Sequence, residues 1–301
     1  MSGADVSSAA PSAAASPVTS PVTTAGFAGR RILIPRDGSW GDNVSSLVRE
    51  LGGVPVVVPL VKFAPPGDPG ELVSALEAIE SSEYDWVTIT SVATVGVLSG
   101  EEVFVPSTTQ LAAVGTATGD ALEDAGFHVS LTPSGHVANA QALATELISL
   151  LADEPARILV LQSDLASPAL AEVLTDAGHD VTAVIAYRTI PVEANAVTDD
   201  VLLATGIDAA LLTSGSIAAA LLARFPSLVS AEAGNSDSRN QAPVTLASIG
   251  RGTTAFAEHL GMTVVVTAEA QNVEALVASL AHYFESNSEQ KIGSSEKESN
   301  V

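Results

Sequence analysis

The strongest constraint on how this 301-residue chain folds is that it repeats itself. Ala-Val-Gly-Thr-Ala-Thr-Gly-Asp-Ala-Leu at 113–122 aligns with Ser-Ile-Gly-Arg-Gly-Thr-Thr-Ala-Phe-Ala at 248–257, which sets Gly115 and Gly250 135 positions apart. The same offset links Gly126 to Gly261 and Thr132 to Thr267. Asp85–Ser91 (DWVTITS) matches Asp208–Ser214 (DAALLTS) at an offset of 123, and Arg31-Ile-Leu-Ile-Pro matches Arg157-Ile-Leu-Val-Leu at 126. Collinear matches whose offset drifts slowly mean two copies of one large unit, not a short-period solenoid. Two similar lobes with a cleft between them follow.

Within each copy, short runs of Val, Ile and Leu alternate with longer Ala- and Leu-rich stretches of helical period, the pattern of α/β units on parallel sheet. Buried strands are expected at 31–35, 54–59, 86–90, 110–114, 128–131, 157–161, 180–185, 209–213, 245–249 and 263–266, with helices at 44–51, 118–125, 140–151, 168–177, 217–224, 253–260 and 273–284. Aromatic residues are only 4% of the chain, so Ala, Val and Leu must fill the core. Residues 1–29 are almost entirely Ala, Ser, Thr and Pro, and together with the polar stretch 285–301 they read as disordered tails. The first stretch lacks the basic start and apolar run of a secretory signal.

Charge limits the partners. The chain has 12 Lys and Arg against 35 Asp and Glu, a net −23. Setting aside the tail residues Asp5, Glu285, Glu289, Glu296, Glu298, Lys291 and Lys297 leaves the body near −20, so the acidity is not a tail effect. Nucleic acid and anionic membrane surfaces are disfavoured, because both need clustered cations. The chain has no cysteine, which removes disulfides, thiolate nucleophiles and Cys-ligated metals and suits a cytoplasmic location.

Each copy has two strand-to-helix junctions of distinctive composition. One is Thr-Ser at a strand end, Thr90-Ser91 and Thr213-Ser214, the second followed by Gly215 and Ser216. The other is hydrophobic-Gly-x-x-Thr, Val114-Gly115-x-x-Thr118 and Ile249-Gly250-x-x-Thr253. In open α/β sheets ligands bind beyond the carboxyl ends of strands, where helix N-termini offer free N–H groups to anions. Gly admits a close backbone approach, and the Ser and Thr hydroxyls either cap the helix or reach a ligand. Competing motifs are missing: neither Gly115-x-x-x-Gly119 nor Gly250-x-Gly252 is a dinucleotide fingerprint, and Ser91 has no nucleophile elbow. His128, His136, His179, His259 and His282 lack metal-ligand spacing. The extended apolar runs ending at Pro65 and Pro191 occupy the same place in each copy and read as strands crossing between the lobes, which puts Tyr187 and Arg188 at the hinge.

The ordered set Arg36-Asp37, Thr90-Ser91, Val114-Gly115-x-x-Thr118, Tyr187-Arg188-Thr189, Thr213-Ser214-Gly215-Ser216 and Ile249-Gly250-x-x-Thr253 resembles the uroporphyrinogen-III synthase family over residues 30–284. It departs from that pattern at Thr254, where Ala is common, in the polar loop 231–242, and at Val92-Ala93 after the first Thr-Ser. The resemblance implies two flavodoxin-like parallel-sheet α/β domains joined by a two-stranded β-ladder. One would be discontinuous, 30–62 plus 190–284, the other 66–184, with 63–65 and 185–189 as the ladder; the repeats alone would divide the chain near residue 155. It also implies a cyclising hydro-lyase without metal or organic cofactor, a cytoplasmic monomer that takes hydroxymethylbilane, handed over from hydroxymethylbilane synthase, to uroporphyrinogen III in heme biosynthesis. Tyr187 would assist loss of the leaving hydroxyl. Arg36, Ser91, Thr118, Arg188, Ser214, Gly215, Ser216, Gly250 and Thr253 would hold the substrate, with Arg251 a further cation. The competing readings are a noncatalytic two-lobed small-molecule-binding or regulatory protein, and a regulator derived from a fusion.

Overall fold

The computed structural model describes residues 26–133, 139–152, 154–229 and 244–298. The disorder expected of residues 1–25, the polar loop 231–242 and His136 lie outside them. Strand β1 (Arg31–Ile34), helix α1 (Gly38–Glu50), β2 (Val54–Val57), β3 (Val61–Ala64), α2 (Pro69–Glu80), β4 (Trp86–Ile89), α3 (Val92–Gly100), β5 (Gln110–Ala113), α4 (Thr116–Asp124), β6 (Val129–Leu131) and α5 (Ala140–Leu151) come first. Then follow β7 (Arg157–Ser163), α6 (Ala169–Asp176), β8 (Asp180–Pro191), α7 (Ala196–Thr205), β9 (Ala209–Leu212), α8 (Gly215–Arg224), α9 (Pro226–Val229), β10 (Thr245–Ser248), α10 (Arg251–His259), β11 (Val264–Thr267) and α11 (Val273–Glu298).

The two sequence copies exchange strands. One sheet is ordered β2-β1-β9-β10-β11 and is parallel throughout. The other is β8-β7-β4-β5-β6, also parallel, with β3 added antiparallel at the β8 edge. By the repeat offsets β7 and β8 correspond to β1 and β2, and β9 to β11 correspond to β4 to β6. Each sheet therefore has the same flavodoxin-like order, with the first two strands of one copy beside the last three of the other. Its topological switch point falls between β1 and β9 in one sheet and between β7 and β4 in the other, where a crevice opens at the strand C-termini.

Alternation along the strands builds three layers per sheet. In the first sheet Leu33, Ala210, Leu212 and Leu246 pack on α8 and α10 residues such as Ile217, Leu221 and Ala257, while Ile32, Ile34, Ala209, Leu211 and Ala247 face α1 and α11 through Val44, Val48, Leu276 and Leu280. In the second, Val87, Ile89, Leu111 and Leu159 meet Leu76, Ile79, Leu98 and Leu122, and Trp86, Ala112, Ile158 and Val160 meet Leu143, Leu147, Leu170 and Leu174. Matching aspartates pin both sheets at the N-terminal ends of their strands: Asp85 accepts from the Arg157 backbone N–H at 2.8 Å, and Asp208 from that of Arg31 at 2.7 Å.

Several element limits differ from the sequence expectation. Phe27 lies inside the expected N-terminal tail yet is fully buried, edge-on to Phe284 at 6.3 Å, with the Arg30 guanidinium 4.4 Å above the Phe284 ring. The buried ring, with backbone bonds from the Phe27 N–H to the Leu51 carbonyl at 3.0 Å and from the Gly29 N–H to the Gly52 carbonyl at 2.8 Å, ties residues 26–29 to the first sheet's helical layer. Gly26 permits that approach, since a Cβ there would stand 2.8 Å from Ala281 Cβ. Helix α11 runs past Phe284 to Glu298 instead of giving way to a disordered tail, and its side chains stay engaged through Ser288, whose hydroxyl donates to the Phe284 carbonyl. Helix α1 begins at Gly38, six residues before the apolar period that announces it, which brings Trp40 into the fold. His179 follows helix α6 but is buried, its Nδ1 accepting from the Ala156 N–H at 3.3 Å.

Candidate active site

Beyond residue 57 the chain passes from the first sheet into β3, which pairs antiparallel with the end of β8: Val61 opposite Pro191, Lys62 opposite Ile190, Phe63 opposite Thr189 and Ala64 opposite Arg188. Lower on β8 the register against β7 skips a residue, Gln162 facing Ile185 and Ser163 facing Tyr187. Such a bulge re-aims the side chain that follows it. Ile185 is exposed, and simple alternation would turn Tyr187 the same way; after the bulge Tyr187 is instead buried, 7% exposed, at the edge of the second core. The turn after β7 clamps it there: the Asp164 N–H donates to the Tyr187 carbonyl at 3.1 Å, and Asp164 Oδ1 accepts from the Thr189 N–H at 2.9 Å.

The Tyr187 hydroxyl lies 3.0 Å from Ser91 Oγ at the C-terminal end of β4. Its ring stands edge-on to Phe63 at 5.1 Å, and Phe63 in turn carries the Arg36 guanidinium 5.0 Å from its centroid. A continuous line of side chains thus joins the switch points of the two sheets, from Arg36 after β1 to Ser91 after β4. Burial holds the Arg36 guanidinium below its ordinary pKa, opposed by the nearby Tyr187 phenol and Asp37 carboxylate. Arg36 makes no hydrogen bond or ion pair to any described residue.

The four junctions divide into two kinds. Ser91 caps α3, accepting from the Thr94 N–H at 3.3 Å, and Ser214 caps α8, accepting from that of Ile217 at 3.3 Å; Ser214 Oγ also meets Ser216 Oγ at 2.8 Å. Helices α4 and α10 start at Gly115 and Gly250 with no side-chain cap, and the Thr118 and Thr253 hydroxyls have no partner among the described residues. Open N-termini with unbonded hydroxyls suit an anionic ligand. Gly215 is needed for a different reason, because a Cβ there would stand 2.9 Å from the Phe256 ring. At Gly250 the space is taken by Gln271, whose Nε2 would lie 2.8 Å from a Cβ. Thr254, the departure from the family pattern, bonds Thr267 Oγ1 at 2.8 Å and ties α10 to β11. At the equivalent place in the first copy Gly119 faces Thr132 Oγ1, 3.0 Å from a virtual Cβ.

Arg188 is not brought to this group. Alternation along the ladder puts Tyr187, Thr189 and Phe63 on one face and Arg188 with Lys62 on the other, and Arg188 Nε donates to the Pro65 carbonyl at 2.9 Å. Arg251 is exposed at the first turn of α10. Trp40 and Phe63 are not singled out by the sequence; an aromatic on each of two elements flanking Arg36 is the available signal. A surface groove of about 730 Å³ lies elsewhere, lined by Leu98, Phe104, Gln110 and His128 near the N-terminal ends of β5 and β6.

Two sheets of parallel strands with paired switch points, and helices α4 and α10 that start without side-chain caps, define an α/β fold of the class that takes small-molecule ligands at its strand C-termini. A family model for uroporphyrinogen-III synthase HemD matches residues 42–278, and the chain belongs to that family, whose activity is a step of tetrapyrrole biosynthesis. Among solved structures, a mutant uroporphyrinogen III synthase from the extremely thermophilic bacterium Thermus thermophilus aligns with 86% of this chain and 100% of its own at 15% identity and a TM-score of 0.55. The uroporphyrinogen-III synthetase of Helicobacter pylori aligns with 83% of this chain and 97% of its own at 16% identity and a TM-score of 0.53. Both likenesses speak for the fold. Among curated proteins none matches this sequence closely enough to count as a relative.

Proposed function

We propose that this chain is a cyclising hydro-lyase that converts hydroxymethylbilane to uroporphyrinogen III in the crevice between the two sheets, with Tyr187 assisting departure of the hydroxyl. Loss of that group is driven by the pyrrole nitrogen: the C–O bond breaks, oxygen keeps the electron pair and leaves as water once protonated, and an azafulvene cation remains. Attack by the substituted carbon of ring D gives a spiro intermediate, which fragments and recloses with ring D inverted. Because the substrate supplies most of the reactivity, the protein's contribution is positioning. No metal or organic cofactor enters this scheme.

The observation that carries the reading is the Tyr187–Ser91 contact at 3.0 Å. Ser91 Oγ already accepts from the Thr94 N–H, so it can donate to the phenol oxygen and leave the phenol proton facing the crevice. The repeat gives an internal contrast: at the offset of 126 Tyr187 corresponds to Val61, and Ser91 corresponds to Ser214, which bonds Ser216 instead. A duplicated scaffold that carries a phenol at one of two equivalent places supports a role beyond packing. Thr118 and Thr253, with the N–H groups of the first turns of α4 and α10, are assigned to the acetate and propionate chains, along with Ser214, Gly215, Ser216 and Gly250 at the adjoining turns. Arg36 is assigned as the cation among them.

The domains are read as 30–62 plus 190–284 and 66–184, linked through the β3–β8 ladder. Among the described residues no helix is long and apolar enough to cross a membrane. A cytoplasmic monomer supplied by hydroxymethylbilane synthase is the working picture, supported by the absence of cysteine and by the tendency of free hydroxymethylbilane to close on its own to the type I isomer. The test is to add the protein to hydroxymethylbilane generated in situ, oxidise, and separate the uroporphyrin isomers. Type III is expected; exclusive type I would leave a noncatalytic binding protein.

A further inference from the structure

We infer that Phe63 and Trp40 are positioning residues that clamp the Arg36 guanidinium so that it reads one carboxylate of the terminal ring and thereby helps set which isomer forms. The inference rests on the functional reading above and goes beyond it by naming a determinant of isomer choice. Arg36 Cζ lies 4.7 Å from the Trp40 centroid and 5.0 Å from that of Phe63. These rings come from separate elements, Trp40 from α1 and Phe63 from the ladder strand β3. Phe63 is 43% exposed and belongs to none of the buried core clusters, so its ring is open to an incoming ligand.

Three physical points converge on this clamp. Guanidinium is planar and weakly hydrated, so aromatic faces can hold it where an ammonium would lose more solvation. Held this way it presents parallel N–H donors edge-on, the arrangement that takes a carboxylate through two bonds. A half-buried cation with no described partner carries a desolvation cost that an incoming anion relieves. Phe63 also touches Tyr187, so the captured carboxylate would sit one ring away from the phenol at the leaving group.

Isomer choice depends on that distance. Turning ring D over exchanges the places of its acetate and propionate side chains, which differ by one methylene. A guanidinium fixed relative to the phenol distinguishes the two orientations, whereas a mobile one does not. Exchange of Phe63 for Leu keeps much of the volume and removes the π face, and Phe63→Tyr keeps the face.

The experiment measures KM for hydroxymethylbilane and the type III share of product for wild type, Phe63→Leu, Phe63→Tyr and Trp40→Leu, with thermal melting of each. Phe63→Leu is expected to raise KM about 2- to 30-fold, the range of one cation–π contact from exposed to desolvated, and to raise the type I share. Trp40→Leu, away from the ladder, moves both quantities the same way, and Phe63→Tyr recovers most of each. Wild-type KM and isomer share in folded Phe63→Leu and Trp40→Leu would overturn the inference, as would a folded Phe63→Tyr as impaired as Phe63→Leu. If wild type itself makes no type III, the functional reading fails first, and the wild-type control separates that outcome from failure of the clamp.

Discussion

Replacing Tyr187 by Phe removes one oxygen and leaves the ring that packs on Phe63 at 5.1 Å. The stability cost follows from what the hydroxyl touches. It loses one hydrogen bond, to Ser91 at 3.0 Å, and Ser91 keeps the Thr94 N–H and Oγ1 at 3.3 and 3.1 Å, so no buried group is orphaned. A loss of about 0.5–1.5 kcal/mol is expected, which leaves the protein folded at assay temperature. Turnover should fall by about 10²-fold, the lower end for a general acid, because the azafulvene forms readily without help. Spontaneous closure then competes, and the isomer assay reads the loss twice, as slower consumption of hydroxymethylbilane and as a rising type I share. Tyr187→Ala is the wrong control, since deleting a buried aromatic ring costs about 3–5 kcal/mol of packing. Wild-type turnover in folded Tyr187→Phe refutes the role of the phenol while leaving the crevice assignment standing.

Four further outcomes follow from the geometry. Thr253→Ala removes a hydroxyl with no partner among the described residues, at the uncapped end of α10, and should raise KM with little change in melting temperature; unchanged activity and product affinity count against that end of the crevice. Arg224→Ala breaks a two-pronged pair with Asp199, 2.7 and 2.9 Å with side chains 11% and 13% exposed, and a bond to the Pro59 carbonyl; about 3–5 kcal/mol should be lost in chemical denaturation, and a loss below about 1 kcal/mol contradicts the account. Hydrogen bonds from Arg157 hold the Asp85 carboxyl below the ordinary carboxylate range, so its contribution is full above the unfolded value of about 4 and is lost as pH falls through the lower folded value; Asp85→Asn should melt earlier than wild type at neutral pH, with a gap that closes in acid and not in base. Substrate KM should stay flat or fall between low and moderate salt, because screening weakens repulsion from a −23 chain more than short hydrogen bonds, and a steep rise would mean that a basic surface dominates recognition.

Periodicity and internal repeats make the sheet-forming runs, the two-lobed plan and the junction residues legible, since strand burial and helix starts depend on nearby side chains. Exchange of β1 and β2 for β7 and β8 is not visible in the repeats, which record ancestry and not pairing; only the long apolar runs ending at Pro65 and Pro191 hint at it. The burial of Tyr187 depends on a one-residue slip between β7 and β8, and no local property of residues 184–188 announces that slip. Adjacency in sequence groups Arg188 with Tyr187, although neighbours on a strand face opposite ways. Ser91 and Ser214 prove to be caps because each is the N-cap residue of its helix, whereas Thr118 and Thr253 stand three residues past a glycine N-cap and have no partner among the described residues. Trp40 escapes a sequence reading because helix α1 starts before its apolar stripe does.

The central claim is that the crevice between the exchanged sheets holds hydroxymethylbilane so that its terminal ring closes inverted. It is tested most directly by titrating the protein against a constant flux of hydroxymethylbilane and plotting the type III share of oxidised product. Spontaneous type I formation serves as the internal clock. The account predicts a share rising from near zero toward one as protein increases, with the curve displaced to higher protein for Tyr187→Phe. A type III share that stays at the protein-free level at every protein concentration contradicts it.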